Sequence, residues 1–197
     1  MKIPDIIEIA YKVIKAFEKF GIVYHIGGSL ASSAFGIPRA TLDADIVADI
    51  KSEQVSEIEA LLKGEFYIST EMIQNAIRYQ SSFNLIHLET LFKVDIFILK
   101  HRPFDIQAFA RRVQKTVSED ISQKLFFATP EDVILHKLEW YKEGGKVSDR
   151  QWSDIIGILR VQGSQLDIPY LKQWARELSV STLLKQALVE AGLFGKQ

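Results

Sequence analysis

Two short stretches of the chain alternate polar or charged with apolar side chains. In Asp43-Ala44-Asp45-Ile46-Val47-Ala48 the two acids are two residues apart, while Ala44, Ile46 and Ala48 take the intervening positions. In Lys93-Val94-Asp95-Ile96-Phe97-Ile98 one apolar face is formed by Val94, Ile96 and Ile98, and Asp95 stands on the other between Lys93 and Phe97. A period of two is a strand period, because successive side chains of a strand point to opposite faces. Each stretch therefore reads as a strand that buries one face and carries carboxylate on the other. The strands are placed at residues 44–50 and 92–99, the second pairing with 83–88 in a hairpin that turns near Glu89-Thr90.

The chain has 197 residues, which suits one domain or one compact domain with a helical extension. Its 47% apolar and 25% charged residues exclude a disordered chain and suffice for a sizeable core. With no cysteine, disulfide scaffolds, cysteine nucleophiles and thiolate metal sites are excluded, and a reducing compartment fits. Met1-Lys2-Ile3-Pro4-Asp5 lacks the layout of a signal peptide, and no apolar run approaches the roughly 18 residues of a membrane span. A soluble cytoplasmic protein with no membrane partner is expected. Net charge is −4 over residues 1–99 and +3 over residues 100–197, which leaves two readings open: a site that takes carboxylates from one half and cations from the other, or a chance split with no electrostatic meaning.

Along the chain, residues 3–20 read as an amphipathic helix with Pro4 in its first turn and Gly21 at its stop. Ile22–Ile26 reads as a strand, 29–35 as a short helix closed by Gly36 and Pro38, and 52–63 as a helix. Pro103 marks a break in texture. Helices are expected at 105–116, from Thr129-Pro130 to about Lys142, and at 148–162, 168–178 and 181–191. The expected fold is α/β (α+β): a small mixed sheet with flanking helices over residues 1–103, and a C-terminal helical bundle over 104–197 that packs on an active-site cleft.

Gly27-Gly28-Ser29 falls between a strand and a short helix. Glycines there let the backbone approach a ligand closely, amides at a helix N-terminus favour phosphate, and the Ser29 hydroxyl adds a donor. A plain tight turn is the competing reading. Asp43 and Asp45 share one strand face and repel unless a cation lies between them; hard oxygen donors suit Mg²⁺, with Mn²⁺ as the substitute. If the Asp95 strand lies beside that of Asp43 and Asp45, three carboxylates meet. Such a set can hold two metal ions about 3.5–4 Å apart, the arrangement used for in-line displacement at phosphorus.

In this order these features resemble the nucleotidyltransferase superfamily that includes DNA polymerase β: an apolar strand, Gly-Gly/Ser, Asp-x-Asp, then a later strand aspartate. A narrower resemblance is to the AbiEii-type nucleotidyltransferases of toxin–antitoxin pairs, carried by Gly27-Gly28-Ser29-Leu30-Ala31 and Arg39-Ala40-Thr41-Leu42-Asp43-Ala44-Asp45. Lys137, and Arg150 with Asp154, fit the helical Lys and the Arg-and-Asp helix of that family. The resemblance spans about residues 22–160. Gln151-Trp152-Ser153 departs from it, standing where a basic residue is more usual.

The resemblance implies a nucleotidyltransferase fold and Mg²⁺-dependent transfer of an NMP from an NTP such as ATP, with release of pyrophosphate. Asp43, Asp45 and Asp95 would be the catalytic, metal-binding residues, and Asp95 would also help deprotonate the acceptor hydroxyl. Gly27, Gly28, Ser29, Arg39, Lys137, Arg150 and Asp154 would serve nucleotide binding. Gly28 and Ser29 would grip the β- and γ-phosphates, and Lys137 would neutralise triphosphate charge. For Arg39 the readings are a phosphate contact or a pair with an acid. For Arg150 and Asp154 an ion pair tying helices to sheet is the rival. RNA such as tRNA is the implied acceptor, with a cognate antitoxin protein as partner. Protein hydroxyls, small molecules as in antibiotic adenylyltransferases, and a catalytically silent nucleotide- or partner-binding module are the alternatives.

The histidines have no H-x-x-x-H spacing for zinc, and neither a P-loop nor G-x-S-x-G occurs. Trp140, Tyr141, Trp152 and Trp174 read as core rather than as a platform for a stacked base.

Overall fold

A computed structural model describes residues 5–116 and 124–193. Pro4 and the first residues of the expected N-terminal helix lie outside them. The chain forms two compact units, the first from residues 1–27 and 40–127, the second from residues 28–39 and 128–197.

Among the described residues the first unit is a seven-stranded mixed sheet with helices. Helix α1 (Ile6–Lys19) starts on a capping box, in which the Asp5 carboxylate accepts from the amides of Ile7 and Glu8 and the Glu8 side chain accepts from the Asp5 amide. It buries Ile9, Ala10, Val13, Ile14 and Phe17. Then come β1 (Tyr24–Ile26), β2 (Asp43–Ala48), α3 (Val55–Leu62), β3 (Phe66–Tyr67), α4 (Thr70–Tyr79), β4 (Ser82–His87), β5 (Lys93–Ile98), α5 (Pro103–Ala110), β6 (Val113–Thr116) and β7 (Lys124–Phe127). Helix α2 (Gly28–Phe35), which lies between β1 and β2 in the chain, belongs to the second unit. The sheet order is β3-β4-β5-β2-β1-β7-β6. The pairs β2–β5 and β1–β7 are parallel and the rest antiparallel. Both β2 and β5 alternate half-buried with buried positions along their whole length. Ala44, Ile46, Ala48, Val94, Ile96 and Ile98 are the buried set, and α1 lies against β2.

The expectation of an all-helical chain beyond residue 103 is wrong. The expected helix at 105–116 ends at Ala110, and Val113–Thr116 and Lys124–Phe127 pair as an antiparallel hairpin. Its inner strand docks on β1, with Ile26 opposite Phe127. Leu125 and Phe127 are buried there, so the long-range gain of extending the sheet outweighs local helical pattern. Pro103 opens α5 at its first position instead of marking a break. Strand β3 and helix α4 are further elements that the sequence reading omits.

The second unit holds α2 (Gly28–Phe35), α6 (Pro130–Glu143), α7 (Asp149–Gln162), α8 (Ile168–Glu177) and α9 (Ser181–Glu190). Thr129 caps α6 by accepting from the Asp132 amide, and Ser148 caps α7 through the Gln151 amide. Helix α2 packs against α6 and α7, α6 against α7 and α8, and α9 against α7 and α8. Segment 28–39 therefore belongs with the helices rather than with the sheet from which it emerges. Among the described residues no helix is long and apolar enough to cross a membrane.

Candidate active site

The acidic face of the first unit follows from strand register. Strands β2 and β5 run parallel with Asp45 opposite Asp95 and Asp43 opposite Lys93. On the far side of β5, Asn84 of β4 stands opposite Asp95. Because every second residue shares a face, Asp43, Asp45, Lys93, Asp95 and Asn84 all lie on the face away from the buried set. The Asp43 carboxylate accepts from the Thr41 hydroxyl. The amide of Gly27 donates to the Asp45 carbonyl at 2.8 Å, tying the start of the glycine turn to the acidic strand.

A cation already stands on this face. Lys93 Nζ is 2.8 Å from Asp95 Oδ2. The hydrogen bond to Asp95 raises the Lys93 pKa against the opposing effect of burial, and the charges of Asp95, Asp43 and Asp45 raise it further. One ammonium thus feels all three carboxylates. Their donor chemistry, hard oxygen from a rigid strand pair, suits Mg²⁺ or Mn²⁺. As the side chains lie, no group of three or more His, Asp or Glu among the described residues is placed to hold an ion.

The second unit gathers a different set. Arg39 makes a bidentate pair with Asp154, Nε to Oδ1 at 2.9 Å and Nη2 to Oδ2 at 3.0 Å, and its Nη2 also donates to Ser29 Oγ at 2.7 Å. Lys137 Nζ lies 2.9 Å from Asp154 Oδ2, and both side chains are 5% exposed. Burial alone would push the Asp154 pKa up. The hydrogen bonds from Arg39 and Lys137 and the charge of Lys137 outweigh it, and the carboxyl is held below its ordinary 3.8. Ser29, Arg39, Lys137 and Asp154, singled out in the sequence for nucleotide binding, are therefore one hydrogen-bonded cluster. Arg39 takes the acid-pairing reading. Asp154 pairs with Arg39 and Lys137, not with Arg150, which is exposed on α7 and enters no ion pair among the described residues. Lys137 is buried on Asp154, so the surface-lysine reading does not hold.

Gly28 has φ +50°, a conformation that costs glycine little and other residues more, and its carbonyl accepts from Ser32 Oγ at 2.8 Å. Ser29 then sits in the first turn of α2. Tyr141 and Trp152 stack on one another with centroids 5.2 Å apart, and the indole donates to Glu190 at 2.8 Å. They line an open groove of about 630 Å³ on the helical unit, together with Lys146 and Lys185. His25 is packed against Phe109. Lys93, which the two-residue period places beside Asp95, has no role assigned from the sequence, and Asn84 is passed over there because only the β4–β5 register brings it in.

No family model matches the sequence, and no curated protein matches it. Solved structures do match in shape. The antibiotic-resistance factor ANT(2'')-Ia in solution aligns over 90% of this chain and 94% of its own at TM-score 0.56 and 13% identity. A crystal structure of ANT(2'')-Ia with adenylyl-2''-tobramycin covers 86% of this chain and 95% of its own at TM-score 0.55 and 14% identity. An antigenic nucleotidyltransferase-like protein from Paracoccidioides brasiliensis aligns over 91% and 90% at TM-score 0.54 and 17% identity. The chain has the nucleotidyltransferase fold.

Proposed function

We propose that this protein is a divalent-metal-dependent nucleotidyltransferase that moves an NMP from an NTP to an acceptor hydroxyl. The observation that carries this reading is the parallel β2–β5 register, which sets Asp45 opposite Asp95 and keeps Asp43 on the same face. Asp43 and Asp45 would hold Mg²⁺ or Mn²⁺, and Asp95 would complete the set. When bound, the metal supplies charge neutralisation at the phosphates. Asp95 takes the proton of the acceptor hydroxyl, whose oxygen bonds to the α-phosphorus as the bond to the β-phosphate oxygen breaks and pyrophosphate leaves. The Gly27-Gly28-Ser29 amides and the Ser29 hydroxyl are assigned to the phosphates. Arg39 orients that hydroxyl from 2.7 Å. Lys137 and Asp154 act at one remove, by fixing Arg39.

Two acceptor classes have support of different kinds. The AbiEii-like motif order, Arg39-x-Thr41-x-Asp43-x-Asp45, favours an RNA end such as that of tRNA and a toxin held by a cognate antitoxin. The shape shared with ANT(2'')-Ia, solved with an adenylylated tobramycin, favours a small-molecule hydroxyl. Label transfer tests both. The protein is incubated with each α-labelled NTP and Mg²⁺ against cellular RNA, against itself and against aminoglycosides and other hydroxyl compounds. Label on one acceptor, absent from a folded Asp43→Ala/Asp45→Ala variant, is expected and identifies the acceptor. Neither transfer nor Mg²⁺-dependent NTP binding would overturn the reading in favour of a catalytically silent module.

A further inference from the structure

Lys93 is a charged residue on the acidic face that the proposed reaction leaves without a part. Its position is fixed twice, by the register that sets it opposite Asp43 and by its 2.8 Å contact to Asp95 Oδ2. The contact is local: Lys93 and Asp95 are two apart on one strand, so both side chains rise from the same face. The Lys93 side chain is 44% exposed and that of Asp95 18%. An ion pair so open to water is weak and readily exchanged. The ammonium can therefore leave Asp95 without disturbing the sheet.

We propose that Lys93 is the resident counter-cation of the carboxylate face and competes with a divalent ion for Asp95. Resting on the metal-dependent reading given above, this assigns Lys93 a positioning role. In the metal-free protein it neutralises part of the repulsion among Asp43, Asp45 and Asp95. Metal entering at Asp95 must displace it, so an ion using Asp95 binds more weakly than one held by Asp43 and Asp45 alone. The protein then loads its full metal complement only when the ion is plentiful, or when the phosphates of a nucleotide add ligands.

The test is Mn²⁺ binding to the full chain without nucleotide, with free ion followed by electron paramagnetic resonance. The wild type is compared with Lys93→Met, Lys93→Arg and Asp95→Asn. The expected result is a stronger and a weaker class of Mn²⁺ in the wild type. Lys93→Met should tighten the weaker class about tenfold, the scale of removing a cation at contact range from a divalent ion in water. Lys93→Arg should behave as wild type, and Asp95→Asn should lack the weaker class. In chelator, Lys93→Met should also melt below the wild type, and added Mn²⁺ should raise its midpoint further than that of the wild type. Equal Mn²⁺ affinity in the wild type and Lys93→Met would overturn the competition and leave the metal-dependent reading intact. Mn²⁺ bound by neither the wild type nor any variant, in a repeat with an NTP present as well as without it, would overturn both.

Discussion

Asp154 carries the clearest consequence of a single residue. Its carboxylate is nearly fully buried and satisfies two cations, the Arg39 guanidinium and the Lys137 ammonium. Such an arrangement holds only while the charges match. Asp154→Asn leaves the buried Lys137 without its carboxylate, and should cost about 3–5 kcal/mol in urea unfolding at pH 7. Lys137→Met leaves Arg39 on Asp154 and should cost less, about 1–3 kcal/mol. If Lys137 instead serves nucleotide directly, its substitution would cost NTP affinity with little change in stability. The pH dependence has a definite sign. The Asp154 pKa is depressed by folding, so its ionisation stabilises the fold fully above the unfolded value near 3.8. That contribution is lost as pH falls through the lower folded value. The difference in stability between wild type and Asp154→Asn should hold steady from neutral pH to about pH 5 and shrink below about pH 4.

At the level of elements, a glycine fixes how the helices of the second unit meet. A Cβ on Gly36 would stand 2.9 Å from the Ile158 amide nitrogen and 2.9 Å from the Ser32 carbonyl oxygen. Both obstacles are backbone, so neither can rotate away. Gly157, on α7, faces the Ile37 backbone across the same contact at 3.4 Å. Gly36→Ala should therefore push the turn after α2 off α7 and destabilise by about 1–3 kcal/mol. The thermal midpoint checks this, with Gly64→Ala, where nothing lies within 4 Å of the added carbon, as the control. The sequence discloses Gly36 as a helix stop, not as a close approach, because the partner lies more than 100 residues away on α7. The same limit separates what was legible from what was not. Strands β2 and β5 show themselves by alternation alone, and their carboxylates with them. Strand β6 carries no such pattern, since its four residues are exposed or half-buried on both faces. Helix α4 does carry a stripe at helical spacing, Met72, Ile73, Ala76 and Ile77, with Ile73 and Ala76 buried, and is legible although the sequence reading passes over it. The Arg39–Asp154 pair joins residues 115 apart, and no local period signals it.

Across the whole molecule, the order of the chain and the grouping of its elements do not coincide. The boundary expected at residue 103 would separate a catalytic core from a helical region. Yet β6 and β7 lie beyond that residue and complete the sheet, while 28–39 lies before it and packs with the helices. A fragment of residues 1–103 would lack β7 and leave β1 as a sheet edge. Tyr24, His25 and Ile26 are all buried there, so the new edge would be apolar, short of hydrogen-bond partners and prone to pair with other chains. A fragment of residues 128–197 would keep Asp154 and Lys137 but lose Arg39. It would also lose the buried Ala31 and Phe35 of α2, which pack with α6 and α7. The first fragment should aggregate. The second should show helical circular dichroism without a cooperative thermal transition, as apolar faces persist without the packing that makes unfolding all-or-none. Adding residues 28–39 through a flexible linker to the second fragment should restore a cooperative transition, because it returns both α2 and the Arg39 partner of Asp154. Cooperative unfolding of 128–197 alone would mean that the helices hold one another without α2, and that the Ser29–Arg39–Asp154 cluster is an addition to a self-sufficient bundle.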